Sequence, residues 1–458
     1  DRAVVDVTAT DFSDVAAIVI TDADQGALEN PMIEALKIPV FLVKVESQEI
    51  KPEFIGKINR VIDLDAINHD LYTKQIAAAA DRYEEDQLPP FFRALADYVG
   101  DGNSQFDCPG HQGGQFYTRH PAGRAFFDFY GENLFRSDLC NADVKLGDLL
   151  IHEGPACDAQ QHAAQVFNAD KTYFVLNGTS SANKVVCNAL IKPGDVVLFD
   201  RNNHKSLHHG ALVQAGATPV YVETSRNPFG FIGGVDNHCF DEAYLRERLE
   251  KVAPHKAKEK RPFRVALIQL GTYDGTIYNA RQVVDRIGHL CDYILFDSAW
   301  VGYEQFIPML RDCSPMLLEL GPEDPGIFVT QSVHKQLAGL SQASQIHKKD
   351  SHIKGQARYC NDDCFNNAFM LHASTSPCYP IFASLDVNAK IHEGKAGRKL
   401  WDETVKLGIE TRKAIKKACH YIKPFIPETI DGKAWEDYDT DVIAADNKFF
   451  KFDPEADW

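Results

Sequence analysis

The sequence predicts an α/β protein with a small N-terminal domain, a large and mostly parallel sheet, and a mixed α+β segment after it. Short runs of β-branched and aromatic residues alternate with helical patterns over residues 15–64, and again more regularly after residue 142. In such an alternation the helices cross over a parallel sheet and cover both of its faces. Ligands of these sheets bind beyond the carboxyl ends of the strands, so the residues that follow each run are the candidate site residues.

Length and composition describe an ordinary globular chain. It has 458 residues, 44% of them hydrophobic and 25% charged, which suggests about three domains. With 48 Lys and Arg against 65 Asp and Glu, the net charge is −17, and this argues against a nucleic-acid or anionic-membrane partner. We see no transmembrane run and no signal-peptide pattern. The 11 scattered cysteines favour free thiols and a cytoplasmic location.

The first domain is expected at residues 1–88. The predicted strands there are residues 15–20, 39–45 and 61–64, and the predicted helices are residues 30–36 and 71–99. The second helix is interrupted at Pro89 and Pro90, because proline breaks a helix interior. We assign residues 89–142 to a linker.

The large domain is expected at residues 143–385. Its predicted strands are residues 172–176, 196–199, 218–222, 265–269, 293–296 and 327–330, and helices are predicted at residues 183–191, 240–252 and 280–290. The pattern then changes. Residues 386–458 are assigned to the start of a small α+β domain, with a long helix at residues 391–422 and short possible strands after it.

A glycine and three hydroxyl residues follow the first strand of the large domain. They are Gly178, Thr179, Ser180 and Ser181, and a helical pattern comes directly after them. Free N–H groups, the helix dipole and hydroxyls at such a turn form an anion site. The same residue types are equally typical of a helix N-cap.

His204 follows the next strand, within the segment DRNNHKS. An imidazole at the carboxyl edge of a sheet can stack on a flat ligand or carry a proton. The alternative is an ordinary surface loop.

Asp297 comes directly after the buried run YILF, and Ala299 and Trp300 follow it. A carboxylate that leaves a buried strand is costly without a cationic partner, and a protonated heteroaromatic nitrogen would be one. Ala299 is small enough for a flat ring to lie against the backbone. Alternatively, Asp297 caps the following helix.

Lys335 follows the last predicted strand in the segment SVHK, with Ser332 and His334 beside it. A desolvated lysine becomes neutral, attacks a carbonyl and forms a Schiff base. Ser332 and His334 are suited to donate to a phosphate. A solvated surface lysine is the alternative.

Together, these segments supply an anion cradle, a ring stacker, a carboxylate and a lysine, each after a predicted strand. Those are the parts that pyridoxal 5'-phosphate needs. The sequence closely resembles the bacterial pyridoxal-phosphate-dependent ornithine, lysine and arginine decarboxylases of aminotransferase-like fold, and within that group the ornithine decarboxylases most. The matching segments are CPGHQGGQFY (108–117), residues 120–156, NGTSSANK, DRNNHKS, QLGTYDGTIYNARQV, FDSAWVGYEQF (296–306), TQSVHKQLAG (330–339) and MLHASTSP (370–377).

The resemblance implies a role for each of these residues. Lys335 would bind the cofactor as a Schiff base, Asp297 would pair with its ring nitrogen, and His204 would stack on its ring. Ala299 would lie against the other face, and Trp300 would reach the ring hydroxyl.

The resemblance also implies the phosphate ligands and a partner. The phosphate would be held by Thr179, Ser180, Ser181, Ser332 and His334. A hydroxyl of the neighbouring subunit completes the phosphate site in this family, for which Ser376 is the first choice and Thr375 the second. The chain would therefore be at least a homodimer. The first domain would be the family's wing, similar to flavodoxin or a receiver domain, and the large domain would hold a seven-stranded sheet.

The implied reaction is the decarboxylation of L-ornithine to putrescine and CO2, as a step of polyamine biosynthesis. Lysine or arginine decarboxylation by the same family is the alternative. Because family members continue beyond the point where this chain ends, we expect the small domain to be cut short, and an inactive chain that serves as an assembly module is the second alternative.

No metal site is expected. His347, His352, Cys360 and Cys364 form an HxxxxH and CxxxC pattern, which does not match the usual zinc spacings.

Overall fold

The computed structural model describes residues 4, 12–46, 48–63, 69–106, 108–139 and 145–452. The chain separates into two compact units, residues 1–89 with 392–400, and residues 90–391 with 401–458. The domain boundaries predicted from the sequence remain predictions, and the boundary at residues 142–143 lies outside the described residues.

The first unit contains a three-stranded parallel sheet in the order β1-β2-β3. Its elements are β1 (Ile18–Thr21), α1 (Pro31–Ala35), β2 (Val40–Lys44), β3 (Arg60–Asp63) and α2 (His69–Gln87). The side chain of Asn30 accepts the N–H of Met32 at 2.9 Å, and Pro31 occupies the first turn, so α1 begins where a cap and a proline are both favourable. All three strands lie within two or three residues of the predicted bounds, although Leu64 of the third lies outside the described residues.

The remaining elements follow in chain order. The strands are β4 (Lys171–Val175), β5 (Val196–Asp200), β6 (Thr218–Val222), β7 (Thr224–Arg226), β8 (Ile232–Val235), β9 (Phe263–Gln269), β10 (Cys291–Asp297), β11 (Gly326–Gln331), β12 (Ser344–Lys349), β13 (Thr429–Ile430) and β14 (Lys433–Ala434). The helices are α3 (Pro90–Gly100), α4 (Pro121–Tyr130), α5 (Glu132–Ser137), α6 (Gly154–Val166), α7 (Thr179–Leu190), α8 (Lys205–Leu207), α9 (Glu242–Val252), α10 (Ala280–Ile287), α11 (Val333–Gln336), α12 (Asp362–Met370), α13 (Tyr379–Ile391), α14 (Gly394–Ala418) and α15 (Thr440–Ala445).

The second unit is built on a seven-stranded sheet in the order β4-β12-β11-β10-β9-β5-β6. The pairs β11–β10, β10–β9, β9–β5 and β5–β6 are parallel, and only β12 runs antiparallel to its neighbours. Alternate residues of β5 enter different cores: Val197 and Phe199 pack in one, Val196 and Leu198 in the other. The sheet is therefore buried on both faces, and the α/β fold class with a mostly parallel seven-stranded sheet is confirmed.

The sequence analysis did not predict β12, because its residues SQIHKK are mostly polar. The structure buries them between β4 and β11 and provides partners: His347 contacts the Thr172 hydroxyl at 2.8 Å and the Gln331 side chain at 3.0 Å. Burial lowers the pKa of His347 to about 3, so this histidine is a neutral core residue. In the part of the chain that the structure describes, no helix is both long and apolar enough to cross a membrane.

Glu304 is a buried carboxyl whose charge should destabilise the fold at alkaline pH. It is 2% exposed, and burial raises its pKa from 4.5 to about 7. A raised carboxyl pKa means that the folded state binds the proton more tightly, so this destabilisation is complete above pH 7 and is lost as the pH falls towards 4.5.

Glu304→Gln removes that charge and keeps an oxygen that can accept the N–H of Gly302. Between pH 5 and pH 8, we expect the free energy of unfolding of the variant to rise by about 2 kcal/mol relative to that of the parent protein, since one pKa unit corresponds to about 1.4 kcal/mol. Urea unfolding of both proteins at the two pH values measures this. A stability difference that does not change with pH would contradict the buried charge.

Candidate active site

Most of the site residues predicted from the sequence line one cavity of about 390 Å³ at the carboxyl ends of the parallel strands. The predicted residues that line it are Thr179, Ser180, His204, Asp297, Ala299, Trp300, Ser332, His334 and Lys335. They come from the segments after β4, β5, β10 and β11. These segments meet because the carboxyl ends of parallel strands share one edge of a sheet.

The start of α7 forms one wall of this cavity. Gly178 has a φ of 76°, a conformation that favours glycine, and it has no side chain to cap the first N–H groups of the helix. The hydroxyls of Thr179 and Ser332 lie 2.6 Å apart, so the segments that follow β4 and β11 meet at this wall. The arrangement of hydroxyls and uncapped N–H groups suits an anion.

His334 lies on the same wall. Its Nδ1 is 2.9 Å from the carbonyl oxygen of Ala343. Because a carbonyl only accepts, Nδ1 carries a hydrogen, and Nε2 can donate to an anion only when the ring is protonated at both nitrogens.

Asp297 ends β10 and is 1% exposed. Its Oδ1 accepts the N–H of Ala299 at 3.1 Å, and its Oδ2 accepts Nδ2 of Asn183 at 2.9 Å. Burial raises the pKa of Asp297, and these hydrogen bonds oppose the rise. Both donors are neutral amides, so a cationic donor in the cavity would stabilise the carboxylate further.

Lys335 lies on α11, and its Nζ is 4.0 Å from the centre of the Trp300 ring. Burial of the amine lowers its pKa, and the charge of Asp297 partly offsets this. The shift is in the direction that a nucleophilic lysine needs. Ala299, 8% exposed, also lines the cavity and has only a methyl side chain.

His204 precedes α8, and its Nδ1 accepts the N–H of Ser206 at 3.2 Å. Burial lowers the pKa of His204, while the nearby carboxylate of Asp297 raises it. The ring is held at its Nδ1 edge, and His204 lines the cavity.

The sequence analysis missed several residues of this cavity. Asn183, Gln269, Thr272 and Tyr273 also line it. The position of Asn183, one helical turn after Thr179, was a usable signal, since residues four apart lie on the same face of a helix. Tyr273 and Thr272 come from the loop after β9, which the sequence analysis named only as a segment that matches the family.

Three residues predicted to contact phosphate do not line this cavity in the single chain. The N–H of Ser181 bonds to the carbonyl of Gly178 at 2.9 Å. Ser376 lines a separate cavity of about 250 Å³, and Thr375 lines neither of the two. Their roles stay predictions, and those of Ser376 and Thr375 depend on a second subunit.

Comparison with known proteins shows the family of this chain. The model of the Orn/Lys/Arg decarboxylase major domain matches residues 89–458, and the model of the N-terminal domain matches residues 1–83. The chain is 67% identical to an ornithine decarboxylase of Haemophilus influenzae, covering 100% of this chain and 64% of that protein. It is 64% identical to the constitutive ornithine decarboxylase of Escherichia coli, covering 100% of this chain and 63% of the relative.

A solved structure agrees with the fold. The lysine decarboxylase LdcF of Francisella novicida superimposes with a TM-score of 0.81 at 35% identity, over 92% of this chain and 58% of that one. The present chain thus spans about 64% of the length of its curated relatives.

The donor set in the cavity fits pyridoxal phosphate, the cofactor that the sequence predicts. It offers hydroxyls and helix N–H groups for a phosphate, a buried carboxyl for a ring nitrogen and a lysine for an aldehyde. The chain belongs to the family of pyridoxal-phosphate-dependent Orn/Lys/Arg decarboxylases.

Proposed function

We propose that this chain carries the catalytic centre of an ornithine decarboxylase, which releases CO2 from L-ornithine and yields putrescine. The observation that carries the proposal is the single cavity shared by Lys335, Asp297 and His204. When bound, pyridoxal phosphate supplies an electron sink for the bond between Cα and the carboxylate.

The residues of the chain would hold and orient the reactants. The amine of Lys335 would hold the cofactor through its aldehyde group. The carboxylate of Asp297, which is buried and fixed by two hydrogen bonds, would hold a proton on the ring nitrogen. His204 and Ala299 would hold the ring between them, and Trp300 would bind its hydroxyl.

The phosphate would be held by Thr179, Ser180, Ser181, Ser332 and His334. After CO2 has left, a proton must be delivered to Cα. His204 and Lys335 are the candidate donors, because the side chains of both line the cavity.

Ornithine is favoured over lysine by similarity. Identity to the two ornithine decarboxylases is 67% and 64%, against 35% for the lysine decarboxylase of known structure. The net charge of −17 also attracts a cationic amino acid, although it does not distinguish between them.

Release of CO2 from ornithine, lysine and arginine by the loaded protein tests the proposal. We expect kcat/KM for ornithine to exceed that for lysine by roughly tenfold or more, the usual discrimination of one methylene. A preference for lysine or arginine would overturn the substrate assignment. Cofactor binding without CO2 release from any of the three would instead support the inactive module.

We also propose that the chain acts as a homodimer, or as a larger assembly of dimers, in the cytoplasm. The partner's hydroxyl, from Ser376 or else Thr375, would complete the phosphate site. The position of Ser376 away from the catalytic cavity of its own chain supports this. The buried cysteines Cys187, Cys239, Cys291, Cys313 and Cys360 are free thiols, which suits a reducing compartment.

A further inference from the structure

A chain of buried hydrogen bonds connects the ring of His204 with the carboxylate of Asp297. The hydroxyl of Thr330 donates to Oδ1 of Asn183 at 2.7 Å. Nδ2 of Asn183 then donates to Oδ2 of Asp297 at 2.9 Å and to the hydroxyl of Ser206 at 3.0 Å. The hydroxyl of Ser206 lies 2.9 Å from Nδ1 of His204.

Two groups with a single possible role set the direction of these bonds: the backbone N–H of Ser206 only donates, and the carboxylate of Asp297 only accepts. The backbone N–H of Ser206 lies 3.2 Å from Nδ1 of His204 and can only donate, so Nδ1 carries no hydrogen. The hydroxyl of Ser206 must then also donate to Nδ1. Its lone pair is free to accept from Asn183, whose amide is oriented by the Thr330 hydroxyl on one side and by Asp297 on the other.

Burial makes this chain of bonds rigid. Asn183 is 1% exposed, Ser206 2% and Thr330 0%, so water cannot replace a lost partner at low cost. Sheet register also places Thr330 beside Asp297 on the neighbouring strand. The side-chain amide of Asn183 on helix α7 therefore bonds to residues of two strands, Asp297 and Thr330, and also to Ser206.

We infer that Ser206 and Asn183 are positioning residues that keep His204 neutral, with its single hydrogen on Nε2, and couple its ring to Asp297. Only the consequence of this inference rests on the proposed function. In the active site, the imidazole would present its Nε2–H to the cavity while Nδ1 accepts hydrogen bonds. Neither residue contacts the reacting atoms in this role.

Other charges also act on His204. Asp297 favours the protonated ring, whereas Lys335, Lys205 and His208 disfavour it. A test must therefore change the hydrogen bond to Nδ1 and leave all of these groups in place. Ser206→Ala does so, because it removes the hydroxyl but keeps the backbone N–H.

The exchange rate of the imidazole C2 hydrogen, followed by mass spectrometry across a pH series, gives the pKa of His204 in the protein without cofactor. Loss of a donor to the lone pair stabilises protonation, so we expect Ser206→Ala to raise this pKa by roughly half a unit to one unit. Ser298→Ala is the matched control. It removes a hydroxyl that is 0% exposed and has no hydrogen-bond partner among the described residues, and it should leave the pKa of His204 unchanged.

An unchanged or lowered pKa in Ser206→Ala would overturn the inference. If that variant does not fold, neutron diffraction from the unaltered protein decides. Hydrogen on Nε2 of His204 and on the Ser206 hydroxyl towards Nδ1 would support the inference, and hydrogen on Nδ1 would refute it. Both measurements are independent of turnover. A protein that shows the expected pKa change but releases no CO2 would refute the proposed function alone.

Discussion

Lys335→Ala is expected to abolish covalent cofactor binding and to reduce CO2 release by on the order of a thousandfold or more. The reason is that the amine of Lys335 lies beside the Trp300 ring on the cavity wall, where the charge of Asp297 acts on it. Its removal leaves the cofactor without this amine. The visible absorption of the lysine-bound cofactor and the rate of CO2 release measure the two effects.

Lys354→Ala is the matched control, because Lys354 is an exposed lysine on the same unit that does not line the cavity. It should retain both the absorption and the activity. If Lys335→Ala keeps the lysine-bound absorption, another lysine binds the cofactor and the assignment is wrong.

Asp297→Ala is expected to lower turnover by roughly a hundredfold to a thousandfold, equivalent to about 3–4 kcal/mol, by analogy with the loss of other preorganised electrostatic partners. The carboxylate is buried and held by Asn183 and Ala299, so no solvent molecule would reproduce its charge at that position. Steady-state kinetics with saturating cofactor measure the loss.

Asp297→Asn removes the charge and nearly keeps the shape, because its one amide oxygen can accept from either Ala299 or Asn183, although not from both. We expect it to lose nearly as much activity as the alanine variant, while cofactor still binds through Lys335. Unchanged turnover in either variant would refute the role of Asp297 as the partner of the ring nitrogen.

Local sequence predicted the fold, and the residues that would line one cavity, where a single strand and the residues after it contain the whole signal. The runs before Asp297 and Lys335 are apolar and buried in the core of a parallel sheet. Such strands give continuous hydrophobic segments, and the residue that follows each one must lie at the same edge. This is why four short segments, far apart in the chain, predicted one cavity.

Features that depend on partners across the fold were not predicted. Strand β12 is polar, and its burial becomes favourable only because Thr172 and Gln331 satisfy His347. No sequence pattern distinguishes Asn183 and Ser206. Their role becomes visible only in the fold, where the Asn183 amide bonds to Ser206 and to residues of β10 and β11. The role of Ser376 was implied by the family resemblance alone and stays a proposal, because it would need a second subunit.

The central claim is that one amine, one carboxylate and one imidazole act on the same cofactor. Borohydride reduction of the protein loaded with pyridoxal phosphate, followed by peptide mass spectrometry, tests it most directly, because reduction makes the bond to lysine permanent. We expect the phosphopyridoxyl group on Lys335. Its appearance on another lysine, or on none, would contradict the account.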